Sequence, residues 1–335
     1  IDTVFDRAQN MKPCNIGTQG ICCKNCGMGP CRLPLPKSGI EGEDTRKGIC
    51  GATPNTIAAR NFIRMIAGGA AAHSDHGRSV AEVFMSAARK ETDAYKFKDT
   101  RKLLEVAKVL GAETTVEVDG EQLDRDMDEI AVEVGEKALN EWGKAEVELL
   151  FARRAPEPRY ELWKKQGVLP RNIDREIVEI MHRTHIGVDQ DYKNLMKQGT
   201  RAAIADGWGG SMLATELQDI LFGTPYPLAS EANLGVMKQD MVNIVIHGHE
   251  PVLSEMIVAV AQKKEMHDYA VSKGAKGIQL SGICCTANEI LQRHGVPLCG
   301  TFLQQELAII TGACDAMVVD IQCIFQNLAN VAKCF

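Results

Sequence analysis

Six of the twelve cysteines of this 335-residue chain lie between Cys14 and Cys50, and this concentration constrains the fold more than any other feature. Their spacing separates into a pair, Cys-x7-Cys, and a set of four, Cys-x2-Cys-x4-Cys-x18-Cys. The pair is Cys14 and Cys22, and the set of four is Cys23, Cys26, Cys31 and Cys50. Four thiolates are a complete ligand set for one metal centre, so the pair is left over.

The Cys-x2-Cys step indicates a metal site, because one tight turn directs both thiolates to the same point. Gly27 and Gly29 would allow that turn, and Pro30 would stiffen it. Zinc ribbons usually have two separated Cys-x2-Cys pairs, whereas this segment has one. The uneven spacing therefore favours a [4Fe–4S] cluster, with zinc, disulfides or free thiols left open as alternatives.

The composition is that of a globular protein, with 45% apolar and 24% charged residues, and its length predicts two or three domains. A net charge of −6, with no basic patch interleaved with aromatics, argues against nucleic-acid binding. The sequence shows no signal-peptide pattern and no apolar run long enough for a membrane span, so we expect a cytoplasmic protein with reduced thiols. The chain starts at Ile1, and residues 331–335 resemble the middle of an amphipathic helix, so we expect a segment of a longer protein.

Helices are predicted after the cysteines. Thr53 and Pro54 form a helix start, and this helix is predicted to end near residues 68–69 or to continue through residues 70–72. His73 and His76 follow. They are interpreted either as a pair at the helix C-terminus, facing the helix dipole, or as catalytic, proton-carrying groups.

Further helices are predicted at 121–141, 172–185 and 190–222, and the first of these is expected to present a solvated polar face. His182 and His185 share one helix face without a cysteine or carboxylate at ligand spacing, so they are predicted to be structural.

Near residue 236 the pattern changes to alternating strands and helices. Strands are predicted at 242–247, 277–282, 297–299 and 316–321, and helices at 252–272, 287–294 and 304–311. This alternation predicts a parallel, doubly wound, Rossmann-like sheet. The predicted fold class is therefore α/β multidomain, with three parts: a cysteine-rich cluster-binding segment (1–52), an all-α helical domain (53–235) and a Rossmann-like domain (236–335).

Metal-ligating side chains follow three of these strands, where a parallel sheet binds its ligands. They are His247 and His249, Cys284 and Cys285, and Cys323. One imidazole and two thiolates do not saturate a cluster, so a second, incomplete metal site is predicted there. Cys299, Cys314 and Cys334 do not share the pattern and are predicted to be core residues.

Several stretches resemble the anaerobic nickel–iron carbon monoxide dehydrogenases, monofunctional or joined to acetyl-CoA synthase. They occur along the whole chain in one order: Gly20–Arg32, Gly48–Thr53, Ile220–Pro225, Ser230–Gly235, His247–His249, Gly282–Thr286 and Val319–Cys323.

The resemblance implies a role for each matching residue. Cys14 and Cys22 match a pair that holds half of a [4Fe–4S] cluster shared across a homodimer axis. Cys23, Cys26, Cys31 and Cys50 match the ligands of a relay [4Fe–4S] cluster. His249, Cys285 and Cys323 match three ligands of the catalytic Ni–4Fe–4S cluster, and His73 and His76 match histidines on a proton path.

The implied reaction is CO + H2O ⇌ CO2 + 2 H+ + 2 electrons, with ferredoxin as the electron partner and acetyl-CoA synthase as an optional one. Family members are longer, and the resemblance places three further cysteine ligands and a catalytic lysine beyond Phe335. Two alternatives stay open: a nickel-free hybrid-cluster protein of the hydroxylamine reductase type, and an electron-transfer fragment without a working catalytic site. The Cys22–Cys23 doublet with Cys14 ahead of it favours the dehydrogenase over the first alternative.

Overall fold

The structure is a computed structural model that describes residues 1–186 and 188–335. It divides into two compact units, one of Pro13–Leu221 and one of Ile1–Lys12 with Phe222–Phe335. The first helix belongs to the second unit, because Arg7 forms an ion pair with the buried Glu306 at 2.6 Å. The three-part division expected from the sequence stays a prediction.

The helices and strands follow one another along the chain in this order: α1 (Val4–Asn10), β1 (Cys22–Cys23), β2 (Cys31–Arg32), α2 (Pro54–Ala88), α3 (Thr100–Leu110), β3 (Thr115–Val118), β4 (Glu121–Asp124), α4 (Met127–Gly143), α5 (Glu157–Gln166), α6 (Ile173–Arg183), α7 (Tyr192–Ile204), a π-helical segment (Ala205–Met212), α8 (Leu213–Phe222), β5 (Val242–Gly248), α9 (Pro251–Ala261), α10 (Lys264–Ser272), β6 (Ile278–Ile283), α11 (Cys284–His294), β7 (Leu298–Gly300), α12 (Gln305–Ile310), β8 (Ala316–Val319) and α13 (Leu328–Ala332). Of the helices described, none combines the length and the apolar character needed to cross a bilayer.

The central element of the first unit is α2. Thr53 caps it by accepting a hydrogen bond from the backbone N–H of Thr56, and Pro54 occupies its first turn, as predicted. The helix does not end near residues 68–72 but continues to Ala88. The interpretation of His73 and His76 as a C-terminal cap pair is therefore wrong, because both lie in the middle of the helix.

Packing explains why α2 passes through its glycines, each of which disfavours a helix by about 1 kcal/mol relative to alanine. The helix contacts α4, α6, α7 and the π-helical segment. It buries a long apolar face: Ile57, Ile63, Ala67, Ala70, Val80, Ala81 and Phe84. This burial outweighs the local preference of the glycines.

Residues 115–124 form an antiparallel hairpin, so the prediction of a helix from residue 121 is wrong. Asp119 and Gly120 both have positive φ, at 52° and 84°, as a two-residue hairpin turn requires. The Asp-Gly pair between alternating residues is a strong hairpin signal that the helical interpretation overlooked. The helix that follows begins at Met127, where Asp126 caps it.

The second unit contains a parallel sheet in the order β7-β6-β5-β8, which confirms the predicted doubly wound fold. The first strand in sequence, β5, lies between β6 and β8. The point at which the strand order reverses, between β5 and β8, is where such sheets bind ligands. Two helix bounds differ from the prediction: 252–272 is two helices, α9 and α10, and α11 begins at Cys284 rather than at residue 287.

Close packing around α2 predicts opposite effects for two glycines of that helix. A Cβ at the buried Gly77 would lie 2.5 Å from Cζ2 of Trp142, whereas Gly68 is exposed with nothing within 4 Å. We expect Gly77→Ala to lower the free energy of unfolding by about 1–3 kcal/mol through overpacking. Gly68→Ala, the matched control, should raise it by up to about 1 kcal/mol. Urea unfolding measures both, and equal effects would contradict the packing described for Trp142.

Candidate metal centres and histidine pair

The cysteine segment forms a small antiparallel ladder in which Cys23 and Cys31 are directly opposite each other. Cys26 lies on the loop that joins these two strands. Cys50 returns to the same place, where it and Cys31 pack against a buried cluster of Cys23, Ala52 and Ile57. Three of the four predicted relay ligands, Cys23, Cys31 and Cys50, therefore pack together. The fourth, Cys26, lies on the connecting loop.

Gly29 is required in that loop. A Cβ there would lie 2.9 Å from the carbonyl oxygen of Cys23 and 3.2 Å from the backbone nitrogen of Cys31. A Cβ at Gly27 would meet no atom within 4 Å, so close backbone contacts require glycine at position 29 but not at position 27.

Nitrogen donors face three of the cysteine sulfurs. The backbone N–H of Ile49 donates to Sγ of Cys31 at 3.4 Å, and the N–H of Gly17 donates to Sγ of Cys14 at 3.4 Å. Nη1 of Arg60 donates to Sγ of Cys50 at 3.7 Å. Donors of this kind stabilise the thiolates that bind metal clusters and tune the cluster they hold.

The pKa values of two of these thiols follow from their donors. Burial acts to raise the pKa of Cys50, but the Ala52 amide and the Arg60 guanidinium outweigh it, so the net pKa is lowered. The amides of Gly17 and Ile16 lower the pKa of Cys14. Lowered thiol pKa values suit metal ligation, which uses the thiolate. The donor set therefore fits an iron–sulfur cluster.

Two residues of α2 hold this segment and were not identified from the sequence. Nδ2 of Asn61 donates to the carbonyl oxygens of Gly20 at 2.9 Å and Cys22 at 3.0 Å. Arg60 contacts Cys50, as described above. The spacing of Ile57, Arg60 and Asn61 at three and four residues, one helical face, was the available signal.

At the sheet edge, Asp320 connects the ends of β5 and β8. Its carboxylate accepts hydrogen bonds from the backbone N–H groups of His249, at 2.6 Å, and Glu250, at 2.9 Å. Its own N–H donates to the carbonyl oxygen of His247 at 3.1 Å. Gly248 has φ +144°, and a Cβ there would lie 1.5 Å from Oδ1 of Asp320, so glycine is needed for this contact.

Three non-glycine residues at the same edge have left-handed backbones: Cys284 with φ 66°, Gln322 with φ 64° and Cys323 with φ 57°. Such conformations are uncommon and concentrate at functional sites. Burial, and then repulsion from Cys323 and Cys285, raises the pKa of Cys284 to about 12. Binding of a cation would displace protons from these thiols.

His247 is a structural residue of this edge. It is fully buried, and its Nε2 donates to Oε1 of Gln305 at 3.0 Å, since that oxygen can only accept. Nε2 of Gln305 in turn donates to the carbonyl oxygen of Cys323 at 2.9 Å. Burial lowers the pKa of His247, which keeps the ring neutral. This pair therefore ties the loop of Cys323 to the end of β5.

The predicted nickel-cluster ligands His249, Cys285 and Cys323 follow β5, β6 and β8 at one edge of the sheet. In residues 1–186 and 188–335, no three His, Cys, Asp or Glu side chains are arranged to hold a single metal ion. Cys299 is buried in the core of this unit, as predicted, and the partly buried Cys314 packs against that core. The prediction of Cys334 as a core residue is wrong, because it is exposed near the end of the short helix α13.

His73 and His76 have different partners. Nδ1 of His73 lies 2.6 Å from Oδ1 of Asp206, and this hydrogen bond, opposed by burial, raises the pKa of His73. His76 is buried, and its Nε2 accepts from Nε2 of Gln218 at 3.0 Å. The Asp206 contact assigns the proton to Nδ1 of His73, so its Nε2 is the nitrogen that can exchange a proton.

Asp206 lies on the π-helical segment, an element that is common at functional sites. A Cβ on Gly210 of that segment would be 3.0 Å from Cβ of His73, so glycine permits the close approach. Asp206 and Gln218 were missed from the sequence. The run Gly207–Gly210 within a predicted helix was the one signal that this stretch is unusual.

Comparison with known proteins confirms the predicted resemblance. Residues 21–335 match the model of the Prismane/CO dehydrogenase family. The chain is 52% identical over 337 residues to carbon monoxide dehydrogenase 1 of Methanosarcina acetivorans, covering 100% of this chain and 51% of that protein. It is 45% identical to the carbon monoxide dehydrogenase/acetyl-CoA synthase subunit beta of Moorella thermoacetica, covering 99% of this chain and 48% of that protein.

A solved structure also shows the similarity to carbon monoxide dehydrogenases. The as-isolated, Ni-free crystal structure of carbon monoxide dehydrogenase from Thermococcus sp. AM4 superposes with a TM-score of 0.90 at 51% identity, covering 100% of this chain and 51% of that one. The chain spans about half the length of the curated relatives it matches. On this family match and these identities, the chain belongs to the Prismane/CO dehydrogenase family.

Proposed function

We propose that this chain carries the electron-relay cysteines and part of the nickel–iron–sulfur site of a carbon monoxide dehydrogenase. One observation carries the proposal: His249, Cys285 and Cys323 follow three strands of one parallel sheet, beside the point where its strand order reverses. The 52% identity to a carbon monoxide dehydrogenase supports the same assignment.

Each predicted site residue keeps its role in this proposal. Cys23, Cys26, Cys31 and Cys50 bind a relay [4Fe–4S] cluster, and Cys14 and Cys22 bind half of a second one shared across a homodimer. His249, Cys285 and Cys323 bind part of a Ni–4Fe–4S cluster. The N–H donors at Cys14, Cys31 and Cys50 support the first two assignments, and the Asp320 contact supports the third.

When bound, the nickel–iron–sulfur cluster supplies the Lewis-acid and redox chemistry that oxidises CO with water to CO2. The chain positions and serves that chemistry. Asp320 fixes the backbone of His249, and Gln305 fixes the carbonyl of Cys323. His73 takes up a released proton at Nε2, while Asp206 holds the Nδ1–H and stabilises the resulting cation. His76 is the next histidine on this proton path.

Electrons leave through the relay cluster and the shared cluster to a ferredoxin in the cytoplasm. The Moorella relative is named as a subunit of a carbon monoxide dehydrogenase/acetyl-CoA synthase, which supports acetyl-CoA synthase as a partner of the protein containing this chain.

A second candidate function is electron transfer without catalysis. It is favoured by the fact that the sheet edge offers one imidazole and two thiolates of the predicted ligand set. The names of the relatives argue against the hydroxylamine reductase alternative.

Turnover of CO tests the proposed function. Anaerobic, nickel-loaded protein containing this chain should reduce a viologen dye with CO and should not consume hydroxylamine. His249→Ala should lower CO-dependent turnover at least about 100-fold and reduce bound nickel, because a metal ligand is lost. The readouts are dye reduction and nickel content.

The matched control is His182→Ala, since His182 is exposed in the last turn of α6. It should leave turnover and nickel unchanged. Protein that carries iron–sulfur clusters without oxidising CO would support the electron-transfer role instead. Reduction of hydroxylamine without CO oxidation would contradict the proposal.

The pKa of His73 generates a second prediction. His73 must be neutral to accept a proton, so turnover should rise as pH increases through its pKa. Asp206→Asn replaces the charged hydrogen-bond acceptor that raises this pKa with a neutral amide, so the acidic limb of the kcat–pH profile should move to lower pH. His73→Ala should slow CO oxidation by about 100-fold or more without loss of metal.

Asp174→Asn is the control, because Asp174 of α6 accepts at 2.7 Å from Ser74, the residue next to His73 on α2, whereas the pKa of His73 is raised by Asp206. The acidic limb should stay in place in that variant. The proposed role of His73 would be contradicted if the acidic limb stayed in place in Asp206→Asn and CO turnover were preserved in His73→Ala.

A further inference from the structure

A buried guanidinium lies beside the cysteine cluster. Arg60 is 2% exposed, although it is fully charged at neutral pH. Its Nη1 donates to Sγ of Cys50 at 3.7 Å, and its Nη2 donates to the backbone carbonyl of Asp189 at 3.0 Å. Its Nε is buried without a hydrogen-bond partner.

Across the part of the chain that the structure describes, no Asp or Glu oxygen lies within 4 Å of Arg60. Asp189 gives Arg60 its carbonyl oxygen, but its carboxylate lies 3.5 Å from Arg183 instead. The buried carboxylate of Glu176, by contrast, forms ion pairs with Arg171 and Arg201.

A buried charge without an opposite charge is strongly unfavourable, so it needs a compensating partner. The nearest group able to carry negative charge is the thiol set to which Cys50 belongs. A [4Fe–4S] cluster with four thiolate ligands has a net negative charge, which protein groups around it modulate. It would supply the charge that the guanidinium lacks.

We propose that Arg60 is the buried counter-charge of the relay cluster and that it raises the reduction potential of that cluster. The proposal rests on the proposed iron–sulfur assignment of Cys23, Cys26, Cys31 and Cys50. On reduction the cluster takes up one electron and its net negative charge increases by one, with no bond formed or broken. A nearby cation in a low-dielectric site favours the reduced form.

The same helix provides a control. Arg64 lies one turn further along α2 and is partly exposed, with Nε donating to the hydroxyl of Thr184 at 2.7 Å. It has the same side chain on the same element without a contact to a cysteine sulfur.

The experiment is a redox titration with dithionite, followed by electron paramagnetic resonance, on the anaerobically purified full chain. Arg60→Met should disfavour reduction of the relay cluster at least about tenfold, a shift of about 59 mV to lower potential for one electron. Arg60→Lys should keep a potential close to that of the unaltered protein, because the charge is retained. Arg64→Met should leave the potential unchanged.

An unchanged potential in Arg60→Met, with the cluster present, would overturn the proposal. If Arg60→Met does not take up a cluster, the thermal unfolding midpoints of the metal-free variant and the metal-free unaltered chain are compared. A higher midpoint in the variant supports the proposal that the charge of Arg60 is uncompensated without the cluster, and a lower midpoint overturns it. Absence of any iron–sulfur signal in the unaltered chain would instead refute the proposed cluster itself, so the two failures are distinguishable.

Discussion

The hydrogen bonds and packing contacts between α2 and the cysteine segment are the constraint on which the rest of the first unit depends. The segment has little regular structure of its own, since β1 and β2 are two residues each. It is held by the Asn61 amide and by the packing of Cys23 against Ile57. His73 is twelve residues beyond Asn61, about 18 Å along a straight helix. One rigid element therefore fixes both the thiols and the proposed proton carrier.

The parallel sheet organises the second unit in a different way. Its strands are short, and the residues proposed as ligands all lie just after them. Asp320 and Gln305 connect those strand ends through hydrogen bonds to the backbone, and Gly248 leaves the space that the Asp320 carboxylate occupies. The backbone next to the proposed ligands is thus held by the fold itself, in the way that supporting residues hold metal ligands in metalloproteins.

The sequence predicted well the features that depend on local pattern. Cysteine spacing predicted that Cys23, Cys31 and Cys50 lie together. The alternation of strands and helices predicted the sheet and the edge where His249, Cys285 and Cys323 lie. Contacts between distant residues were not predictable. The length of α2 depends on the helices packed against it, which override two glycines. Asp206 and Asp320 act through partners 133 and 71 residues away, and no spacing rule connects them. The hairpin at Asp119 was missed because charged residues there fit a helix surface as well.

The central claim is that the cysteines between Cys14 and Cys50 bind iron–sulfur clusters. The most direct test is the content of iron, acid-labile sulfide and zinc in the 335-residue chain, purified without oxygen. One relay cluster and half of a shared cluster give about 6 iron atoms per chain with an equal amount of sulfide. That result, without zinc, is the one predicted. Zinc bound in place of iron, with no sulfide, would contradict the account.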